Sequence, residues 1–166
     1  LIEGCGASVP RIMLYHIPPI ALVGWSEALV GRLVEAFPEV VVGMKDSSGD
    51  KANTLRMIAA FPGLAIFPGS EGYLLEALRA GGAGCISASA NINAAGIRRL
   101  YDRWQEDDAD ALQAGLNGVR KAVESRGLMP AVKAVIAERT GEPFWRNLRP
   151  PLEPLSRTDQ EKLVNS

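Results

Sequence analysis

The chain has 166 residues, of which 22% are charged and 47% apolar, with a formal net charge of -1. That balance suits a compact globular body with a real core and excludes intrinsic disorder. It leaves no basic footprint for nucleic acid, no apolar run as long as a membrane span and no signal-peptide pattern.

Cys5 and Cys85 lie in separate segments with no C-x-x-C, so both read as small core residues and a reducing cytoplasm is the expected compartment. The first residues run almost directly into a strand-like segment, so a preceding N-terminal part is expected. Residues 11–17 are short, apolar and stopped by Pro18 and Pro19, which reads as a strand. A helix follows, capped by Ser26, with Leu29, Val30, Leu33, Val34 and Phe37 as its apolar stripe and Pro38 as its stop. Residues 40–45 read as a second strand, ending in Lys45 and opening onto Asp46, Ser47, Ser48 and Gly49. Asp50 caps a helix that ends at Pro62-Gly63, with Leu55, Ile58 and Ala59 inward. A third strand covers residues 64–67. Ser70 caps the next helix, with Leu74, Leu75 and Leu78 buried and Gly81-Gly82 as its stop. Residues 84–87 read as a fourth, short strand.

A helix then starts near Asn93, with Ile97, Leu100, Tyr101 and Trp104 at i, i+3, i+4 and i+7. Another spans about 108–125, with Leu112, Leu116, Val119 and Val123 inward. A third carries Pro130 in its first turn and stops at Gly141. Prolines keep residues 149–155 extended, and Ser156 or Thr158 caps a last helix reaching about Val164.

The first two-thirds thus read as strand–helix repeated four times, an α/β pattern with a parallel sheet. A doubly wound sheet and part of a (β/α)8 barrel both fit. With no G-x-G-x-x-G after a strand, dinucleotide binding has no support. In either fold the functional face is built at the C-terminal ends of strands. That rule collects Tyr15, His16, Lys45, Asp46, Ser47, Gly69, Ser70, Ser87 and Ser89. Strict alternation puts Val41, Gly43 and Lys45 on one strand face, with Gly43 leaving room beside Lys45.

A strand-end lysine most often just points into water. Paired with Tyr15 it can do more. A lysine amine attacks a carbonyl carbon to form a Schiff base, whose protonated imine is an electron sink, and a tyrosine hydroxyl can ferry the protons. The single histidine, His16, makes a His-based metal site or a Ser-His-Asp triad a poor fit, and it reads as a helix-facing or loop residue.

Tyr15-His16-Ile17-Pro18 resembles the Y-N-x-P motif of the dihydrodipicolinate synthase / N-acetylneuraminate lyase family. The run from Gly43 to Asp50 resembles the segment around that family's Schiff-base lysine. Gly69-Ser70-Glu71, residues 81–87 and residues 149–155 are similar to its later motifs, in the same order, over nearly the whole chain.

The resemblance implies a (β/α)8 TIM barrel, of which this chain would be the last four βα units (1–105), followed by a C-terminal helical extension (106–166). It implies a pyruvate-dependent class I aldolase or lyase needing no cofactor or metal, with a 2-oxo acid and an aldehyde as its partners and a homotetramer as its assembly. Lys45 would form the Schiff base and Tyr15 relay protons. Ser47, Gly69, Ile86 and Ile20 would line the substrate site, Ile86 through its backbone carbonyl.

Two departures qualify it. The half-barrel with the family's paired threonines is absent, so the chain by itself should not turn over. Ile20 stands where dihydrodipicolinate synthases place a carboxylate-binding arginine, which favours another aldol-type activity over the synthase of lysine biosynthesis. A non-catalytic 2-oxo-acid-binding relative, or an inactive fragment, is the further alternative.

Overall fold

The structure is a computed structural model and describes residues 2–5 and 9–164. The chain falls into two compact units, residues 1–86 and 87–166.

The first unit alternates strands and helices: β1 (Ile12–His16), α1 (Pro18–Ala21), α2 (Glu27–Ala36), β2 (Val41–Asp46), α3 (Lys51–Ala60), β3 (Ala65–Pro68) and α4 (Leu74–Arg79). The three strands form a parallel sheet in the order β1-β2-β3. Helix starts fall where the sequence places caps. The Ser26 hydroxyl accepts from Leu29 N, Asp50 from Asn53 N, and Ser70 from Gly72 N in a short 3-10 turn before α4. Each such cap is worth about 0.5–2 kcal/mol.

The core joins Leu14, Val41, Met44 and Ile66 of the sheet to Val30, Met57, Ile58 and Ala77 of the helices. Each large apolar side chain taken fully from water contributes roughly 1.5–3 kcal/mol. Leu29, expected on the buried stripe of α2, is exposed instead, because Val30 at its centre takes the core position.

Three further expectations are corrected here. The β1–β2 register slips by one: Ile12 pairs with Val41, but Met13 pairs with Gly43. This bulge breaks strict alternation, so Val41 joins Met44 in the helix-side core rather than sharing the Lys45 face. Gly43 does not leave open room. A Cβ there would stand 2.5 Å from the Ala65 carbonyl oxygen and 3.3 Å from the Met13 methyl, so the missing side chain lets β3 approach. Residues 84–87 form no strand. The segment bonds to β3 through Ala83 N→Ile66 O (2.9 Å) and Ile86 N→Pro68 O (3.0 Å). Donors three residues apart meet acceptors two apart, and Gly84, at φ +138°, takes up the excess.

The second unit is helical: α5 (Ala90–Arg103), α6 (Ala109–Glu124), α7 (Leu128–Thr140) and α8 (Arg157–Val164). Helix α5 begins three residues ahead of the expected start and breaks helical geometry at Asn93, which is where the sequence places that start. Ile92, Val123, Ala131, Val132 and Leu163 form the core; Val119, expected inside, is exposed. Gly141 ends α7 in the left-handed conformation, and Ser156 accepts from Asp159 N at the start of α8. No described helix is long and apolar enough to cross a membrane.

Candidate active site

The parallel register sets Tyr15 of β1 directly beside Lys45 of β2, at the C-terminal ends of both strands. The Lys45 Nζ donates a hydrogen bond to the Tyr15 hydroxyl at 3.1 Å and lies 4.3 Å from the centre of its ring. The hydrogen bond from Lys45, followed by one from Ser47, holds the Tyr15 hydroxyl below the ordinary tyrosine range; the small desolvation of the ring works against this. Lys45 is half-buried and Tyr15 is 48% exposed, so the pair sits at a rim that a small molecule can reach.

Ser47 is fixed from both sides. Its N–H donates to His16 O at 2.7 Å, and Gly69 packs onto it so closely that a Cβ at 69 would meet its Oγ at 2.3 Å. The Gly69 N–H donates to Asp46 O at 2.6 Å, and Ile86, tied to Pro68 O, follows along the rim with 40% exposure. The structure thus brings together Tyr15, Lys45, Ser47 and Gly69, with Ile86 beside them. Ile20 lies on α1, 76% exposed and apart from this bonded set.

The neighbouring residues point elsewhere. Asp46 is fully buried on the opposite face of β2. Burial pushes its carboxyl up, but bonds from Ser48, Thr54 and Asn53 outweigh that and leave it below the ordinary carboxylate range. It ties the loop after β2 to the first turn of α3. His16 is buried too, accepting through Nδ1 from Trp25 N at 2.9 Å, which agrees with a helix-side residue. Ser70 serves as a cap. In the second unit, the Ser87 and Ser89 hydroxyls lie 3.0 Å apart and both accept from Arg120, whose side chain is 13% exposed. Sequence reasoning passed over Arg120 and Trp25. The available signal for Arg120 was a cation four residues after Leu116, on the inward side of α6.

The model of the dihydrodipicolinate synthetase family matches residues 7–166. The chain belongs to the dihydrodipicolinate synthetase family. Within the family's reach lies an uncharacterized DapA-like lyase of Chloroflexus aurantiacus, 36% identical over 147 residues, 88% of this chain and 49% of that protein. A crystal structure of dihydrodipicolinate synthase from Agrobacterium tumefaciens superposes with a TM-score of 0.84 at 32% identity, over 98% of this chain and 55% of that one. N-acetylneuraminate lyase from Fusobacterium nucleatum, solved with pyruvate, superposes with a TM-score of 0.77 at 26% identity, over 93% and 52%. The α/β fold is therefore that of the family's barrel enzymes, and the chain spans about half the length of the curated relatives it matches.

Proposed function

We propose that this protein is a class I aldolase or lyase that forms a Schiff base between Lys45 and pyruvate or a related 2-oxo acid. It then makes or breaks a C–C bond to an aldehyde. The observation that carries this reading is the 3.1 Å hydrogen bond between Lys45 Nζ and the Tyr15 hydroxyl at matched strand ends.

The neutral amine attacks the carbonyl carbon of the 2-oxo acid. The resulting carbinolamine loses its hydroxyl as water, leaving a protonated imine on Nζ. That cation draws electrons from the neighbouring carbon, which loses a proton, becomes an enamine and attacks the aldehyde; the lyase direction is the reverse. Tyr15 is in reach of Nζ throughout and exchanges the protons, and its lowered proton affinity eases release of the one it carries. Ser47 steadies that hydroxyl, while Gly69 and Ile86 line the same rim. The strands described here are taken as the fifth to seventh of a barrel. The unpaired edge of β1, flanked by an apolar cavity of about 560 Å³, is where earlier strands would join. A homotetramer in the cytoplasm belongs to the same reading.

No lysine or arginine occurs between Arg11 and Arg32, so the loop beside Tyr15 offers an incoming aldehyde no cation. That favours a partner without a carboxylate at that end over the substrate of 4-hydroxy-tetrahydrodipicolinate synthase. The test is pyruvate release from a panel of 2-oxo sugar acids by the full-length protein. Release from at least one, with no condensation of aspartate semialdehyde, is expected. Saturable pyruvate binding with no turnover in either direction would instead identify a non-catalytic binding relative.

A further inference from the structure

Asp46 stands between Lys45 and Ser47, and the proposed chemistry makes no use of it. It is fully buried, on the face of β2 away from the site. β2 is paired on both sides, so no preceding strand can alter its partners, all of which lie within residues 16–69. The peptide group joining Asp46 to Ser47 is bonded in both directions. Its carbonyl accepts from Gly69 N at 2.6 Å, and its N–H donates to His16 O at 2.7 Å. The carboxylate is held as well. Oδ1 accepts from Ser48 N at 2.9 Å, while Oδ2 accepts from Asn53 Nδ2 at 2.9 Å and Thr54 Oγ1 at 2.7 Å, in the first turn of α3. Thr54 is itself fully buried. All of these partners donate, which suits an ionised carboxylate, an acceptor only. With backbone and side chain both fixed, Asp46 sets where Ser47 leaves the strand, within reach of the Tyr15 hydroxyl.

We propose that Asp46, with its carboxylate gripped by Thr54 and Asn53, is a positioning residue that keeps the Ser47 hydroxyl on Tyr15. The inference rests on the Schiff-base reading of Tyr15 and Lys45. Asp46 touches no reacting atom and acts through the peptide group it shares with Ser47. A loosened carboxylate lets that peptide turn, and Ser47 drifts from the hydroxyl that exchanges the protons. The consequence for turnover is large, because a misplacement of about 1 Å, even from a change away from the chemistry, costs on the order of 100-fold in rate.

The experiment compares Thr54→Val, Thr54→Ser and Asn53→Ala in the full-length protein. Thr54→Val keeps the volume and removes the hydroxyl. Thr54→Ser keeps the hydroxyl and loses a buried methyl. Asn53→Ala removes the amide donor from a half-buried position. The readouts are the urea midpoint, kcat, borohydride trapping on Lys45, and the alkaline titration of Tyr15 followed by NMR of ring-labelled tyrosine. Thr54→Val should lower kcat about tenfold, with trapping retained and Tyr15 titrating closer to free tyrosine. Asn53→Ala should do the same to a smaller degree. Thr54→Ser should lose stability yet keep the wild-type kcat and titration. A purely structural role gives another pattern, in which kcat follows the urea midpoint and Tyr15 titrates alike in every variant. That pattern, or unchanged kcat and titration in both Thr54→Val and Asn53→Ala, would overturn the proposal. Should Thr54→Val not fold, Asn53→Ala decides alone. Absence of trapping in the wild type would remove the Schiff-base reading, and the Tyr15 titration across the variants would still decide whether Asp46 holds Ser47 in place.

Discussion

Tyr15 and Lys45 divide the proposed chemistry between them, and each half can be removed separately. Lys45→Ala should abolish borohydride trapping with pyruvate. Tyr15→Phe should leave trapping in place and lower turnover by roughly 100-fold or more, the usual size of a lost proton-transfer group. Lys45→Ala should also raise the Tyr15 titration toward the ordinary tyrosine value, since the hydrogen bond from Lys45 is the largest influence lowering it. A phenol that titrates unchanged in that variant would contradict the described geometry. Both residues were legible in the sequence, because a strand-end position is a local property and the motifs around them are contiguous. Trp25, Arg120 and the true role of Gly43 were not. Each is defined by what packs against it from 9 to 33 residues away.

Element boundaries followed the chain closely wherever the signal was local: capping serines, prolines and apolar stripes. They failed where a partner strand decides. The bulge opposite Ile12 and the loss of a regular strand at residues 84–87 both depend on register, which the sequence of one segment does not carry. The loop after β2 shows how an element end is secured. Asp46 is buried and bonded by Ser48, Asn53 and Thr54. Its carboxyl is lowered in the folded protein, so the stability it contributes is present above the unfolded value of about 3.9 and is lost as pH falls through the folded value. Asp46→Asn turns a donor toward these donors and should cost about 1–3 kcal/mol in urea unfolding at neutral pH. The variant should also lose less stability than wild type on acidification below pH ~4. An equal acid dependence in the two proteins would refute this assignment. Gly43→Ala should cost a further 1–3 kcal/mol or so by forcing a methyl into the Ala65 carbonyl.

At the scale of the molecule, the chain spans about half the length of its curated relatives, and its first unit carries three parallel strands of their α/β fold. β2 is paired on both sides, whereas β1 has a free edge beside an apolar cavity. The central claim concerns one amine. The full-length protein is incubated with pyruvate, reduced with borohydride, digested and read by mass spectrometry. The account predicts the mass of a reduced pyruvyl adduct on the peptide containing Lys45, lost in Lys45→Ala and kept in Tyr15→Phe; an adduct on another lysine, or none at saturating pyruvate, would contradict it.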